Sequence, residues 1–137
     1  MRFLTTFVLI LGFTTALAQA EIAVVVNPAN ANAVSTDDLN RLFLGRASSF
    51  ADGSKATPLN LAEGQAAREE FDSKVLNRSS AQLKAYWSKL VFTGKGTPPK
   101  ELADDAAVKA AVAGDSTAIG YISSGSVDGS VKVVATF

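Results

Sequence analysis

Ile22-Ala23-Val24-Val25-Val26, a run of aliphatic residues closed by Asn27-Pro28, is the segment that most strongly indicates the fold class. A strand with one solvated face would carry a polar residue at every second position, and this run carries none. A continuous aliphatic run is typical of a strand that is buried on both faces. Such a strand needs helices packed on its sheet, so the segment predicts an α/β fold.

The rest of the chain shows helix and strand signals in turn. Ser35-Thr36 followed by two aspartates is typical of a helix start, and Gly45 predicts the end of that helix. The order strand, helix, strand, three helical segments and two strands favours a small two-layer or three-layer α/β sandwich. The predicted elements after the first strand are a helix ending at Gly45, a strand at 57–61, helices at 66–76, from Ser79 to before Gly94 and from Asp104 to Gly114, and strands at 118–122 and 131–134.

The first twenty residues have the three parts of a secretory signal in order. Arg2 is followed by the apolar run 7–13 and by the small-residue pattern Ala18-Gln19-Ala20 before Glu21. A membrane anchor is the alternative, but threonines interrupt the apolar run on both sides, and a span needs ~20 apolar residues. The sequence therefore predicts a signal peptide at 1–20, one mature domain at 21–137, and a periplasmic location.

The composition argues against most catalytic chemistries. The chain has no cysteine and no histidine, which excludes disulfides, thiolate nucleophiles and histidine-based triads. It also excludes the usual zinc ligands, so we expect neither an enzyme, nor a metal, nor a cofactor. The chain carries 13 basic and 13 acidic residues with no block of either sign, which does not favour nucleic-acid binding.

Several phrases of the sequence resemble one family, the substrate-binding proteins of phosphate ABC transporters. They are STDDLNRLFLG at Ser35–Gly45, the turn Phe50–Gly53, the segment Phe71–Leu76, FTGKGTPP at Phe92–Pro99 and AIGYIS at Ala118–Ser123. Members of that family are type II periplasmic binding proteins with two α/β lobes joined at a hinge. The resemblance implies that this chain is similar to a single lobe, without the second lobe that would close over a ligand.

The resemblance also places the ligand loop of the family, R-x-D-G-S-G-T, on residues 61–67. Only the acid and the first glycine are kept, as Glu63 and Gly64, while the arginine, serine and threonine are absent. Backbone N–H groups at the start of the following helix can still bind an oxyanion, and Arg68 or Asn60 can partly replace the missing donors. The candidate ligand-binding residues are Asn60, Glu63, Gly64, Gln65, Ala66, Ala67 and Arg68.

Simpler interpretations of these residues stay open. The segment 63–65 can be an ordinary turn from strand to helix, with Glu63 stabilising the first helical turn. Arg68 and Asp72 have the spacing of a solvated pair on a helix surface. Trp87 shares a helical face with Leu83, Leu90 and Val91, which favours a core position over a sugar-binding platform.

These observations lead to two hypotheses about function. The first is an exported, non-enzymatic binding or adaptor protein that holds phosphate or another small oxyanion weakly. The second is a periplasmic protein-protein interaction module without a ligand, which docks a membrane sensor, a transporter or a second copy of itself. A small anion would stabilise the first kind of protein, whereas only a protein partner would stabilise the second.

Overall fold

The structure, a computed structural model, describes residues 21–137, and the predicted signal peptide at 1–20 lies outside the described residues. The helices and strands form where capping and periodicity predict them, with one short strand in addition. The elements are β1 Ile22–Val26, α1 Thr36–Phe43, β2 Thr57–Leu61, α2 Ala66–Lys74, α3 Ser80–Phe92, β3 Lys100–Leu102, α4 Asp105–Gly114, β4 Ala118–Ser123, a single 3-10 turn Ser124–Ser126, and β5 Lys132–Thr136.

The strands form one five-stranded sheet in the order β3-β2-β4-β1-β5. All five residues of β1 are buried, which confirms the prediction of a strand covered on both faces. β1 runs antiparallel to β4 and β5, whereas β2 is parallel to both β3 and β4. The carboxyl ends of β2, β3 and β4 therefore meet at the same edge of the sheet.

Helices cover both faces of this sheet. On one face the Tyr121 ring of β4 stacks on the Phe71 ring of α2, with ring centroids 4.0 Å apart. On the other face the neighbouring Gly120 lies directly under Val108 of α4. Because successive strand residues point to opposite sides, α2 and α4 lie on opposite faces of the sheet. The predicted α/β class is confirmed, and the architecture is the three-layer one.

The predicted helix starts are confirmed by their capping bonds. The Ser35 hydroxyl accepts from the backbone N–H of Asp38, whose carboxylate accepts in return from the backbone N–H of Ser35. Ser79 and Gln82 make the same reciprocal pair at the start of α3. These bonds satisfy backbone donors that the first helical turn leaves without intrahelical partners, so they define where each helix begins.

Two predictions about the third helix and its surroundings are wrong. Leu83 is the buried residue of α3, while Trp87 is half-buried and Val91 is 54% exposed, so the predicted core face lies largely at the surface. The reason is that α3 packs against the end of α1, where the Tyr86 hydroxyl donates to the Leu44 carbonyl at 2.6 Å. The strand β3 was not expected, because Lys100-Glu101-Leu102 has no apolar alternation. Within residues 21–137, the helices are too short or too polar to cross a membrane.

Candidate functional site

A cleft of about 530 Å³ lies outside the carboxyl ends of β2 and β3, between the start of α2 and one side of α3. Asn60 of β2 and Glu101 of β3 pair in register at this edge. Ligands of α/β proteins usually bind at the carboxyl ends of parallel strands, so this position suits a binding site. The residues that line the cleft are Asn60, Glu63, Arg68, Leu83, Lys84, Trp87, Ser88, Val91, Phe92, Pro98 and Glu101.

Arg68 links the residues at the floor of the cleft, which is formed by Asn60, Arg68 and Glu101 at the ends of β2 and β3. Its Nη1 donates to the Leu61 carbonyl and to Glu101 Oε1, each at 2.8 Å, and its Nε lies 3.4 Å from Asp72 Oδ2. Burial lowers the pKa of Arg68, but the bond to Glu101 and the nearby negative charges more than offset this and leave the pKa raised. The guanidinium is therefore charged at any working pH and clamps α2 onto the ends of β2 and β3.

The interpretation of Arg68 and Asp72 as a solvated surface pair is wrong. Arg68 is 8% exposed and Asp72 is 3% exposed. Because α2 begins soon after β2 ends, its first two turns lie against the sheet, and Arg68 of the first turn and Asp72 of the second point inward. Burial raises the pKa of Asp72, and Arg68 offsets this only in part. The Arg68 guanidinium thus contacts two carboxylates, that of Glu101 in the cleft lining and that of Asp72 buried outside the lining.

Asn60 is fixed by a bond to the centre of the sheet. The Tyr121 hydroxyl donates to Asn60 Oδ1 at 2.7 Å and accepts from the Leu61 backbone N–H at 3.3 Å. Burial raises the pKa of Tyr121 well above its ordinary value, so the hydroxyl keeps its proton and remains a donor. Through the stack of Tyr121 on Phe71, the position of Asn60 is tied to the aromatic core.

The predicted ligand loop is divided by the structure. Asn60, Glu63 and Arg68 line the cleft, whereas residues 64–67 are not part of its lining. Glu63 is exposed and lies 3.3 Å from the ammonium of Lys84. Gly64 has a φ of 88°, and Gln65 starts α2 without a side-chain cap. Gly64, Gln65 and Ala66 are exposed, and Ala67 is buried beneath them.

The remaining wall of the cleft is apolar and comes from α3 and the loop after it. Phe92 is 93% exposed and lines the same cleft as the half-buried indole of Trp87. The indole rests against the turn at Gly45, where an added Cβ would lie 2.9 Å from Trp87 Cη2. Sequence periodicity marks one side of α3 as apolar but does not tell which side meets solvent, so this wall was not predicted.

The cleft combines an apolar wall with paired charged groups. Among the described residues there is no group of three His, Cys, Asp or Glu side chains that could hold a metal ion. The ionised groups of the lining pair with one another, Lys84 with Glu63 and Arg68 with Glu101. What the cleft offers a ligand is an apolar surface beside a floor of hydrogen-bonding groups.

The chain has a three-layer α/β fold with a cleft at the strand ends, and several solved structures share this fold. An ABC-type phosphate transport receptor from Vibrio cholerae is 21% identical, with a TM-score of 0.65 over 84% of this chain and 46% of the receptor. A putative phosphate ABC transporter substrate-binding protein with bound phosphate from Clostridium perfringens is 19% identical, with a TM-score of 0.65 over 84% of this chain and 45% of that one. PstS from Borrelia burgdorferi is 12% identical, with a TM-score of 0.60 over 85% and 47%.

These matches confirm at the level of fold the resemblance to phosphate ABC transporter substrate-binding proteins. The chain spans about half the length of the structures it matches, as expected for a relative of a single lobe. No protein-family model matches the sequence, and no curated protein matches it.

Proposed function

We propose that this chain is a non-enzymatic binding module that docks an apolar segment of a protein partner in the cleft beside α3. The observation that carries the proposal is the exposure of Phe92, 93%, and Val91, 54%, at the mouth of an apolar cleft. Large apolar side chains grouped at the surface of a small domain are typical of interaction sites. Aromatic residues beside a pocket also supply most of the binding energy in many interfaces.

The charges of the cleft support a protein segment over a small anion. Glu101 and Asp72 already surround Arg68, and the remaining cation, Lys84, pairs with Glu63. A phosphate entering the cleft would meet the carboxylates of Glu63 and Glu101 and would leave the apolar wall unused. An apolar side chain would bury against Trp87 and Phe92, at about 25 cal/mol per Å² of apolar surface removed from water.

Selection of binding peptides from a random displayed library tests this proposal. The selected peptides should bind the wild-type domain and lose at least tenfold in affinity for Phe92→Lys, because a charge then replaces the most exposed part of the wall. Val133→Lys is the matched control, since Val133 is 38% exposed on β5, away from the cleft. Peptides that bind Phe92→Lys as well as the wild type would contradict the proposal.

Weak oxyanion binding at the start of α2 is the second candidate function. Gly64, Gln65 and Ala66 form an exposed turn into the helix, and the substrate-binding protein from Clostridium perfringens, which shares this fold, holds phosphate. The helix dipole and backbone N–H groups at such a turn favour an anion.

Thermal unfolding with phosphate, sulfate and arsenate tests the second candidate. An anion at 100 times its dissociation constant adds ~2.7 kcal/mol to the stability. Gln65→Asp is the control, because its carboxylate would cap the same N–H groups and repel an anion. No shift with the wild type, or an equal shift with Gln65→Asp, would remove this candidate.

Export to the periplasm, and docking of a membrane transporter, a sensor or a second copy, complete the proposal. The signal pattern at 1–20 supports export. Intact-mass measurement of the protein from the periplasmic fraction should give a chain that begins at Glu21. Light scattering on the purified domain separates a self-associating module, whose mass would be twice that of the chain, from one that needs another protein.

A further inference from the structure

Two buried side chains in the floor of the cleft keep unused hydrogen-bond donors. Asn60 and Arg68 are each only 8% exposed. Among the described residues, no acceptor bonds Asn60 Nδ2 or Arg68 Nη2. Within residues 21–137, the one fully buried side-chain nitrogen or oxygen without a partner is Ser124 Oγ. Asn60 Nδ2 and Arg68 Nη2 are therefore not fully buried and retain access to solvent. Because both residues line the cleft, their free donors open into it.

An unused acceptor lies beside these donors. Glu101 Oε1 accepts from Arg68, while Glu101 Oε2 has no partner among the described residues. The Glu101 side chain is 50% exposed and lines the same cleft. Asn60 and Glu101 are register partners on β2 and β3, so the donors and the acceptor are neighbours. The floor therefore presents both kinds of hydrogen-bonding group at one place.

We propose that this floor recognises a backbone amide of an extended, apolar peptide segment. The peptide carbonyl accepts from Asn60 Nδ2 and Arg68 Nη2, its N–H donates to Glu101 Oε2, and its side chain packs on Trp87 and Phe92. This inference rests on the proposed docking function and specifies which chemical group of the partner is recognised.

An amide suits this floor better than an anion for an electrostatic reason. The single positive charge of Arg68 is already matched by Glu101 at 2.8 Å and by Asp72 at 3.4 Å. A carboxylate or phosphate would accept from the same donors but would lie beside Glu101 Oε2 and be repelled. A neutral amide avoids this repulsion and uses both the donors and the acceptor, whereas an unmatched buried group would weaken binding.

Titration of the ¹⁵N-labelled domain with N-acetyl-L-phenylalaninamide tests the proposal. This probe is uncharged and carries two amides, one on each side of a single apolar side chain. Millimolar probe should shift the Trp87 indole and Asn60 side-chain NH₂ resonances together. N-acetyl-L-phenylalanine, which ends in a carboxylate, and inorganic phosphate should bind at least about fivefold more weakly. Equal or tighter binding of the acid or of phosphate, or no shift at these two residues, would overturn the proposal.

Two isosteric variants assign the roles of the donors and the acceptor. Asn60→Asp keeps the oxygen that accepts from Tyr121 but removes the amide donors, and should weaken the amide probe about fivefold. Glu101→Gln keeps an acceptor for Arg68 but removes the charge, and should weaken the amide probe while strengthening the acid probe. If library peptides depend on Phe92 but not on Asn60 or Glu101, docking stands and the amide proposal fails. If no peptide binds, docking itself fails.

Discussion

The close approach of α4 to the centre of the sheet gives a sharp test of the packing. Gly120 lies in β4, and a Cβ added there would lie 2.7 Å from Val108 Cγ1. Non-bonded carbon atoms rest about 3.5–4.0 Å apart, so Gly120→Ala creates an overlap of about 1 Å. Val108 is completely buried, so its methyl group cannot move out into solvent. The helix, the strand or both must therefore shift.

The expected cost of Gly120→Ala follows from this overlap. Overpacking a well-packed core costs about 1–3 kcal/mol. Replacing a strand glycine returns about 0.5–1 kcal/mol of backbone entropy, so the net loss should be about 1–2 kcal/mol. For a domain of this size the melting temperature should fall by roughly 4–8 °C.

A double-mutant cycle with Val108→Ala separates this overlap from any other effect. Val108→Ala alone removes two buried methyl groups and should cost about 1.5–3 kcal/mol. In the double variant the methyl group added by Gly120→Ala enters the space vacated by Val108, so the loss should be about 1 kcal/mol less than the sum of the single losses. Urea unfolding followed by Trp87 fluorescence and by far-UV circular dichroism measures each term. Additive losses, or a neutral Gly120→Ala, would refute the reasoning.

Three further predictions concern the polar groups. Burial raises the folded-state pKa of Asp72 above its value in the unfolded chain. Relative to Asp72→Asn, the wild type should therefore lose stability as the pH rises from about 3.9 through that folded-state pKa. Urea midpoints of both proteins from pH 3 to 7 check this, and a pH-independent difference between them would contradict it. Tyr121→Phe leaves Asn60 Oδ1 and the Leu61 N–H without their partner. The free energy of unfolding, measured in urea, should fall by about 1–3 kcal/mol. An unchanged free energy would show that water replaces the hydroxyl. Ser79→Ala removes the cap of α3 and should cost about 1 kcal/mol, while the exposed Ser80→Ala should stay within ±0.5 kcal/mol; equal losses in thermal unfolding would argue against the capping role.

Much of the fold was predictable because its signals are local. The aliphatic run of β1, the capping residues Ser35 and Ser79 and the turn glycines act within a few residues of themselves, and each predicted element is present. The family phrases led to the correct fold class for the same reason, since they combine such local signals in a fixed order. The lining of the cleft was predicted only in part: Asn60, Glu63 and Arg68 are among the expected ligand residues, whereas Glu101, Trp87 and Phe92 are not. Whether any of them binds a ligand stays a prediction.

The order and type of the elements could thus be inferred from the chain alone, whereas the cleft depends on contacts between distant segments. Arg68 is buried because it bonds Glu101, 33 residues away, and Glu101 is in place because β3 pairs with β2. The exposed side of α3 is set by its contact with the end of α1, 42 residues earlier. Periodicity indicates that a helix has an apolar side. Which element covers that side depends on how the helices and the sheet pack in the tertiary structure.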